Sequence, residues 1–220
     1  MKTISIRENV LAENDQIASK LRERFRRNKI FTVNIISSPG SGKTTLLEKT
    51  IIALKDDLDI QIIVGDVKTE NDAGRLKKAG GKAVQIQTSG ACHLDARMIQ
   101  KILNVIEFNG PGLLIIENVG NLVCPASYDL GEDVKVVILS APEGDEKPLK
   151  YPAVFHRAGL LIITKTDMLE LCNFDSQAAY RNAAQINPSI KCIKLSAKTG
   201  EGMQAWFDWL KDNVAKKISS

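Results

Sequence analysis

The chain has 220 residues, 44% of them hydrophobic and 25% charged, with a formal net charge of +4. That length suits one α/β domain with a core of ordinary size. Its four cysteines, Cys92, Cys124, Cys172 and Cys192, include no Cys-x-x-Cys pair, which argues against a disulfide framework and for metal binding or plain burial.

Residues 4–28 read as an amphipathic helix. Val10, Ile17, Leu21 and Phe25 recur on one stripe between charged positions. Lys20, Arg22, Arg24, Arg26, Arg27 and Lys29 carry much of the basic excess, and such a run reads as a solvated helix face, not a nucleic-acid patch. The N-terminus has no apolar run of signal-peptide type, and no segment has the length to span a bilayer. The expectation is a cytoplasmic protein with neither a membrane nor a nucleic-acid partner.

Ile30 to Ser37 is a run of β-branched and aromatic residues that predicts a first strand. A Gly-rich turn and a helix from about Gly42 to Lys55 follow. Further strands are predicted at Ile60 to Val64, Ala83 to Gln87, Leu113 to Ile116, Val134 to Leu139, Leu160 to Thr164 and Cys192 to Leu195. Most are continuous apolar runs, the pattern of strands buried on both faces. Helical patterns at about 69–79, 93–107, 174–186 and 202–214 lie between many of them. The alternation implies βαβ units and a mostly parallel, doubly wound sheet flanked by helices, an α/β fold.

The stretch Ser37-Ser38-Pro39-Gly40-Ser41-Gly42-Lys43-Thr44 leaves a strand and opens a helix, as a P-loop must. Backbone N–H groups from Ser38, Gly40, Ser41, Gly42, Lys43, Thr44 and Thr45 can curl around phosphates at a helix N-terminus. Lys43 is placed to reach the β- and γ-phosphates, and the Thr44 hydroxyl to ligate Mg²⁺. Ser37 stands where a glycine is usual, which is tolerable if its backbone stays in a conformation open to L-residues. Glu117 closes the apolar strand Leu113-Leu114-Ile115-Ile116, and a carboxylate there can hold Mg²⁺ directly or through water. Asp66 ends another strand, and Asp72 lies six residues on, in a candidate switch segment. The alternative for Asp72 is an ordinary acid at a helix N-terminus. Lys43, Asp72 and Glu117 are the candidate catalytic residues. No arginine finger and no glutamine placed for catalysis is evident, so slow hydrolysis is expected.

Thr164-Lys165-Thr166-Asp167 again ends a strand and resembles the [NT]-K-x-D element of G proteins. The Asp167 carboxylate can accept from guanine N1–H and the exocyclic amine, a donor pair that adenine lacks. Lys165 would lay its stem along the base. Ser196-Ala197-Lys198 resembles the second base-side loop, whose backbone would contact guanine O6. GTP is therefore favoured over ATP.

Cys92-His93 opens a helical pattern, and Cys124 follows 32 residues on, before Pro125 on a loop. Thiolate and imidazole select Zn²⁺, Ni²⁺ or Cu over Mg²⁺. Adjacent Cys and His are awkward ligands for one ion, so the pair is expected to bridge two ions or to join a site shared across a dimer. Three protein ligands leave a position open, which suits transfer. Cys172 and Cys192 read as buried small hydrophobes, and His156 as structural.

The stretches 37–48, 65–76, 88–99, 115–132, 141–152 and 164–167 together resemble the hydrogenase nickel-incorporation GTPases, the HypB family. The resemblance runs from residue 30 onward and is most specific at Cys92-His93 and at Glu117 to Pro125. It implies a dimerising P-loop GTPase at 30–220, with Cys92, His93 and Cys124 binding zinc or nickel at the interface of a GTP-dependent homodimer. It also implies Asp66 and Asp72 as Mg²⁺ and switch acids, and Lys150, assisted by Lys147, as a lysine of the GTP-dependent dimer. The implied partner is the small zinc-containing nickel chaperone HypA, and the implied client the large subunit of [NiFe]-hydrogenase. Residues 1–29 become a candidate docking helix. Some members carry a His-rich or Cys-rich N-terminal tract, and neither occurs here. Urease-type nickel-insertion GTPases usually carry a Cys-Pro-His motif, also absent. A regulatory GTPase with inert cysteines and a small-molecule kinase are the remaining rivals.

Overall fold

The structure, a computed structural model, describes residues 6–66, 71–88 and 90–220. Helix α1 (Ile6–Arg27) comes first, followed by β1 (Ile30–Ser37), α2 (Lys43–Leu54), β2 (Asp59–Asp66), α3 (Asn71–Lys78) and β3 (Lys82–Gln87). The chain continues through α4 (Ala96–Ile102), β4 (Gly112–Glu117), α5 (Cys124–Ser127) and β5 (Val134–Ser140). It ends with α6 (Lys147–Lys150), α7 (Pro152–Arg157), β6 (Ala158–Thr164), α8 (Ser176–Ile186), β7 (Lys191–Lys194) and α9 (Met203–Ser219).

All seven strands pair in parallel, in the order β3-β2-β4-β1-β5-β6-β7. Each expected strand is present. Period-two alternation splits the apolar residues of β1 between two faces. Phe31, Val33 and Ile35 pack under α2, α3 and α9, where Leu46, Leu76 and Trp206 are buried. Ile36 faces the opposite layer, with Phe155 of α7 and Ala179 of α8. Ile30 joins α1 and α4 through Phe25 and Ile99. The Trp206 indole N–H donates to Thr50 Oγ1 at 2.9 Å, so the largest buried side chain leaves no unpaired polar atom.

Three expectations about the helices change. The pattern at 93–107 forms a helix only over Ala96–Ile102, because Asp95 caps it by accepting from Met98 N. Cys92 and His93 therefore lie in the turn before the helix. Val10 is exposed, and the buried stripe of α1 is Asn14, Ala18, Leu21 and Phe25. Its basic residues are solvated as expected. The short helices α5, α6 and α7 each carry proline in the first turn, where the missing N–H costs nothing; the apolar periodicity was too brief to announce them.

Order in the sheet reverses around β1, which lies between β4 and β5. Ligands of open α/β sheets collect outside the carboxyl ends of strands at such a point. Ser37, Asp66, Glu117 and Thr164 all end strands on that edge.

Candidate functional site

Residues 38–42 leave β1 and turn into α2 through Gly42, whose φ of 95° is a left-handed conformation that disfavours any Cβ. Ser37 has no positive φ, so the serine in place of the usual glycine is accommodated. It also adds contacts. Its Oγ accepts from Ser41 Oγ at 2.6 Å and Lys43 Nζ at 2.8 Å, and donates to the Ser38 carbonyl at 2.8 Å. The P-loop lysine is thereby held over its own loop.

A cleft of about 610 Å³ lies above, bordered by Gly40, Gly42, Lys43, Thr44, Thr45, Asp72, Glu117 and Lys165. That size accepts a nucleotide. Thr44 Oγ1 donates to Glu117 Oε1 at 3.1 Å, and Glu117 Oε2 is buried without a hydrogen-bond partner. Burial pushes the Glu117 carboxyl up to about 7, Lys43 and the Thr44 hydrogen bond pull it down, and Asp72 pushes it up. An unpaired carboxylate oxygen beside a hydroxyl is a fitting donor set for Mg²⁺. The Asp66 side chain lies outside the described residues.

Arg75 was not anticipated. It borders the cleft one turn beyond Asp72, donates to Thr45 Oγ1 at 3.2 Å and pairs with Glu48 at 2.7 Å. The i, i+3 spacing of Asp72 and Arg75 on a helix could have flagged it.

On the base side, Lys165 adopts a φ of 59°, and its Nζ donates to the Gly40 carbonyl at 2.8 Å. Thr164 Oγ1 donates to the Ser41 carbonyl at 2.8 Å, so β6 and the P-loop are tied twice. Ser196 Oγ donates to Asp167 Oδ1 at 2.6 Å, and Lys198 Nζ lies 3.9 Å from Oδ2. The Ser196 hydrogen bond leads in holding the Asp167 carboxyl below its usual range. Loops 165–167 and 196–198, with Ala197 packed on the core, thus meet. Lys150 and Lys147 stand apart. They sit on α6, paired with Glu146 and Glu143, and do not border the cleft.

The second constellation lies beyond Glu117 on the same segment. The ligand atoms of Cys92, His93 and Cys124 all fall within 4.8 Å of one another, and they form the one such group found among the described residues. The turn before α4 brings the side chains of both adjacent residues, Cys92 and His93, to Cys124. The Cys92 thiol donates to Cys124 Sγ at 2.7 Å, and His93 Nδ1 is 3.7 Å from Cys92 Sγ. The His93 ring stacks on Tyr128 at 3.9 Å, and burial lowers its pKa, which favours the neutral, metal-ligating imidazole.

Two asparagines that the sequence reading passed over fix this geometry. Asn121 Oδ1 accepts from Val123 N at 2.8 Å, and its Nδ2 donates to the Cys92 carbonyl at 3.4 Å. Asn118 Oδ1 accepts from Leu94 N at 3.2 Å and from Val119 N at 3.0 Å, and Asn118 also borders the nucleotide cleft.

The family described as CobW/HypB/UreG, nucleotide-binding domain, matches residues 31–194. The hydrogenase maturation factor HypB of Azotobacter chroococcum mcd 1 is 48% identical over 209 residues, covering 95% of this chain and 68% of its own length. The chain belongs to the HypB family of hydrogenase maturation factors. Among solved structures, HypB from Helicobacter pylori in complex with nickel aligns with a TM-score of 0.88 at 39% identity, over 93% of this chain and 96% of that one. HypB from Archaeoglobus fulgidus aligns with a TM-score of 0.85 at 40% identity, over 92% and 99%.

Membership of the HypB family accounts for the nucleotide-binding domain. The remaining cysteines do not enter the thiol–imidazole cluster. Cys172 and Cys192 pack against the core beside α8, and burial pushes the Cys192 thiol up to about 11. His156 is exposed on α7. Among the described residues no helix is long and apolar enough to cross a membrane.

Proposed function

We propose that this protein is a GTP-hydrolysing nickel metallochaperone of the cytoplasm that assists nickel insertion into [NiFe]-hydrogenase. The observation that supports this best is the shared segment 117–124. Glu117 at its start borders the phosphate cleft, Cys124 at its end joins Cys92 and His93, and Asn118 ties the start to Leu94, the neighbour of His93. Groups that sense nucleotide and groups that hold metal are therefore seven residues apart. The nickel complex of the Helicobacter pylori relative supports nickel as the cargo.

In this reading Lys43 binds the β- and γ-phosphates, and the P-loop amides of Ser38 and of Gly40 to Thr45 cradle them. Thr44 and Glu117, with Asp66, hold Mg²⁺, which supplies charge neutralisation when bound. Asp72 orients the attacking water. Asp167 selects guanine, Lys165 lies along the base, and the Ser196–Lys198 backbone meets O6. Nucleotide closes two copies of the chain about the metal centres, with Lys150 and Lys147 acting across the homodimer. Zinc is the competing ion, since thiolate and imidazole suit both. The small chaperone HypA is the expected partner and the hydrogenase large subunit the client. A regulatory GTPase with inert cysteines is disfavoured because three donors converge where burial alone would scatter them.

Equilibrium dialysis with Ni²⁺ tests the coupling. Affinity is expected to differ between the GDP form and the form loaded with a non-hydrolysable GTP analogue, and to depend on Cys92 and Cys124. Equal affinity in the two states would overturn it.

A further inference from the structure

The buried stripe of α1 contains one polar residue. Asn14 is 6% exposed and occupies the place in the 14, 18, 21, 25 series where an apolar side chain is ordinary. Its amide is used at both ends. Oδ1 accepts from Ala96 N at 2.9 Å, and Nδ2 donates to the Asp129 carbonyl at 2.9 Å. Flipping the amide would set donor against donor and acceptor against acceptor, so the partners fix its orientation.

Those partners belong to the two segments that carry the metal donors. Ala96 starts α4, three residues past His93, and Asp129 follows Tyr128, which stacks on His93 and lies just past the helix headed by Cys124. One side chain thus spans the gap between both ligand segments from behind. Neighbouring contacts repeat the pattern. Glu13 pairs with Arg97 on α4, and Arg22 grips Asp129 with two hydrogen bonds of 2.6 and 2.7 Å. Gly131, at a φ of 80°, lies so close to α1 that a Cβ there would come within 2.8 Å of the Ala18 carbonyl.

We infer that Asn14 is a positioning residue of the metal centre: α1, which supplies no ligand, sets metal affinity by holding the Cys92–His93 turn in register with the Cys124–Tyr128 segment. The inference rests on the reading that Cys92, His93 and Cys124 hold the ion. Groups hydrogen-bonded directly to metal ligands typically contribute 10- to 100-fold to metal affinity; Asn14 acts through the intervening backbone of Ala96 and Asp129, so its loss is expected at the low end, about 10-fold. Any displacement of α1 should loosen the same centre.

The test uses the full chain and Ni²⁺ in competition with a chromophoric chelator. Asn14→Ala should bind Ni²⁺ about 10-fold more weakly, with a diminished thiolate-to-nickel charge-transfer band and an unchanged affinity for a fluorescent GDP analogue. Arg24→Ala is the control. It removes the 2.9 Å bond to the Leu103 carbonyl, which ties α1 to the far end of α4, and should leave nickel affinity at the wild-type value. Should Asn14→Ala fail to fold, Arg22→Ala, which removes an exposed α1 side chain that grips the same Asp129 segment, must show a smaller loss in the same direction. Nickel binding that ignores Cys124→Ser would overturn the metal reading and this inference with it. Cys124-dependent binding that survives Asn14→Ala, or that Arg24→Ala weakens equally, would overturn the inference alone.

Discussion

The phosphate-side cleft takes its principal groups from one continuous stretch, Ser37 to Thr45, whereas the thiol–imidazole cluster gathers three side chains from two separate segments held by neighbours. In the first region the backbone does the work. A strand end, a left-handed glycine and a helix N-terminus create the cradle, and Ser37 holds Lys43 across it. In the second region the backbone is irregular, and side-chain amides fix it: Asn121 from within, Asn118 from the nucleotide side and Asn14 from α1. A cradle of main-chain amides tolerates side-chain change outside its few special positions. A loop pair braced by asparagines depends on single side chains, since each brace is one amide between two segments.

The sharpest way to break the comparison is to disable one region and read the other. Lys43→Ala removes the cation facing the terminal phosphates, and GTP hydrolysis is expected to fall about 10³-fold. Single-turnover phosphate release measures this. Nickel affinity of the nucleotide-free protein should be unchanged, because Lys43 Nζ is held on Ser37 of its own loop. A parallel fall in nickel affinity would show that the regions are one cooperative unit. A smaller effect is expected at the base. Asp167→Asn turns an acceptor toward guanine into a mismatched amide, so GTP affinity should drop about 10²-fold. Xanthine carries a carbonyl where guanine has its amine, and the Asp167→Asn protein should gain affinity for xanthosine triphosphate in return. Fluorescent-nucleotide displacement reads both changes, and retention of guanine preference would remove Asp167 from base selection.

The same contrast explains what the sequence made legible. All seven strands and the P-loop announced themselves, because continuous apolar runs and a Gly-rich turn are local signals. Pairing of Thr164 and Lys165 with the P-loop carbonyls could be placed only by strand ends, since residue spacing carries no sheet order. The metal donors were legible by residue type. Their convergence was not, because it depends on Asp95 ending the turn before α4 and on asparagines that look like ordinary loop residues. Val10 misled because a periodic apolar position is no guarantee of burial, and Asn14 was missed because a core polar residue breaks the period that defines a stripe. Arg75 carried only a weak signal, its i, i+3 spacing from Asp72, which many solvated helix faces share.

Glu117 joins the two regions, and its protonation offers the finest test. In the metal-free protein the carboxyl is 3% exposed, and burial raises it from the ordinary 4.5 to about 7. Between those values the folded protein holds a proton that the unfolded chain has released. Raising the pH through that interval therefore favours unfolding, and the contribution of the protonated group, complete below 4.5, is lost as the pH passes about 7. Denaturant unfolding in the presence of a chelator should show wild type losing stability relative to Glu117→Gln as the pH rises across this window, since glutamine keeps a neutral side chain throughout. Other titrating groups cancel in the difference. Saturating Mg²⁺ and nucleotide should abolish the relative loss, because a cation at the orphaned Oε2 favours the carboxylate. A pH-independent difference between the two proteins would mean that Glu117 ionises like an exposed acid. The segment from the cleft to Cys124 would then start from an ordinary charge, and the junction between nucleotide and metal would have to lie in the neutral bond from Asn118 to Leu94 instead.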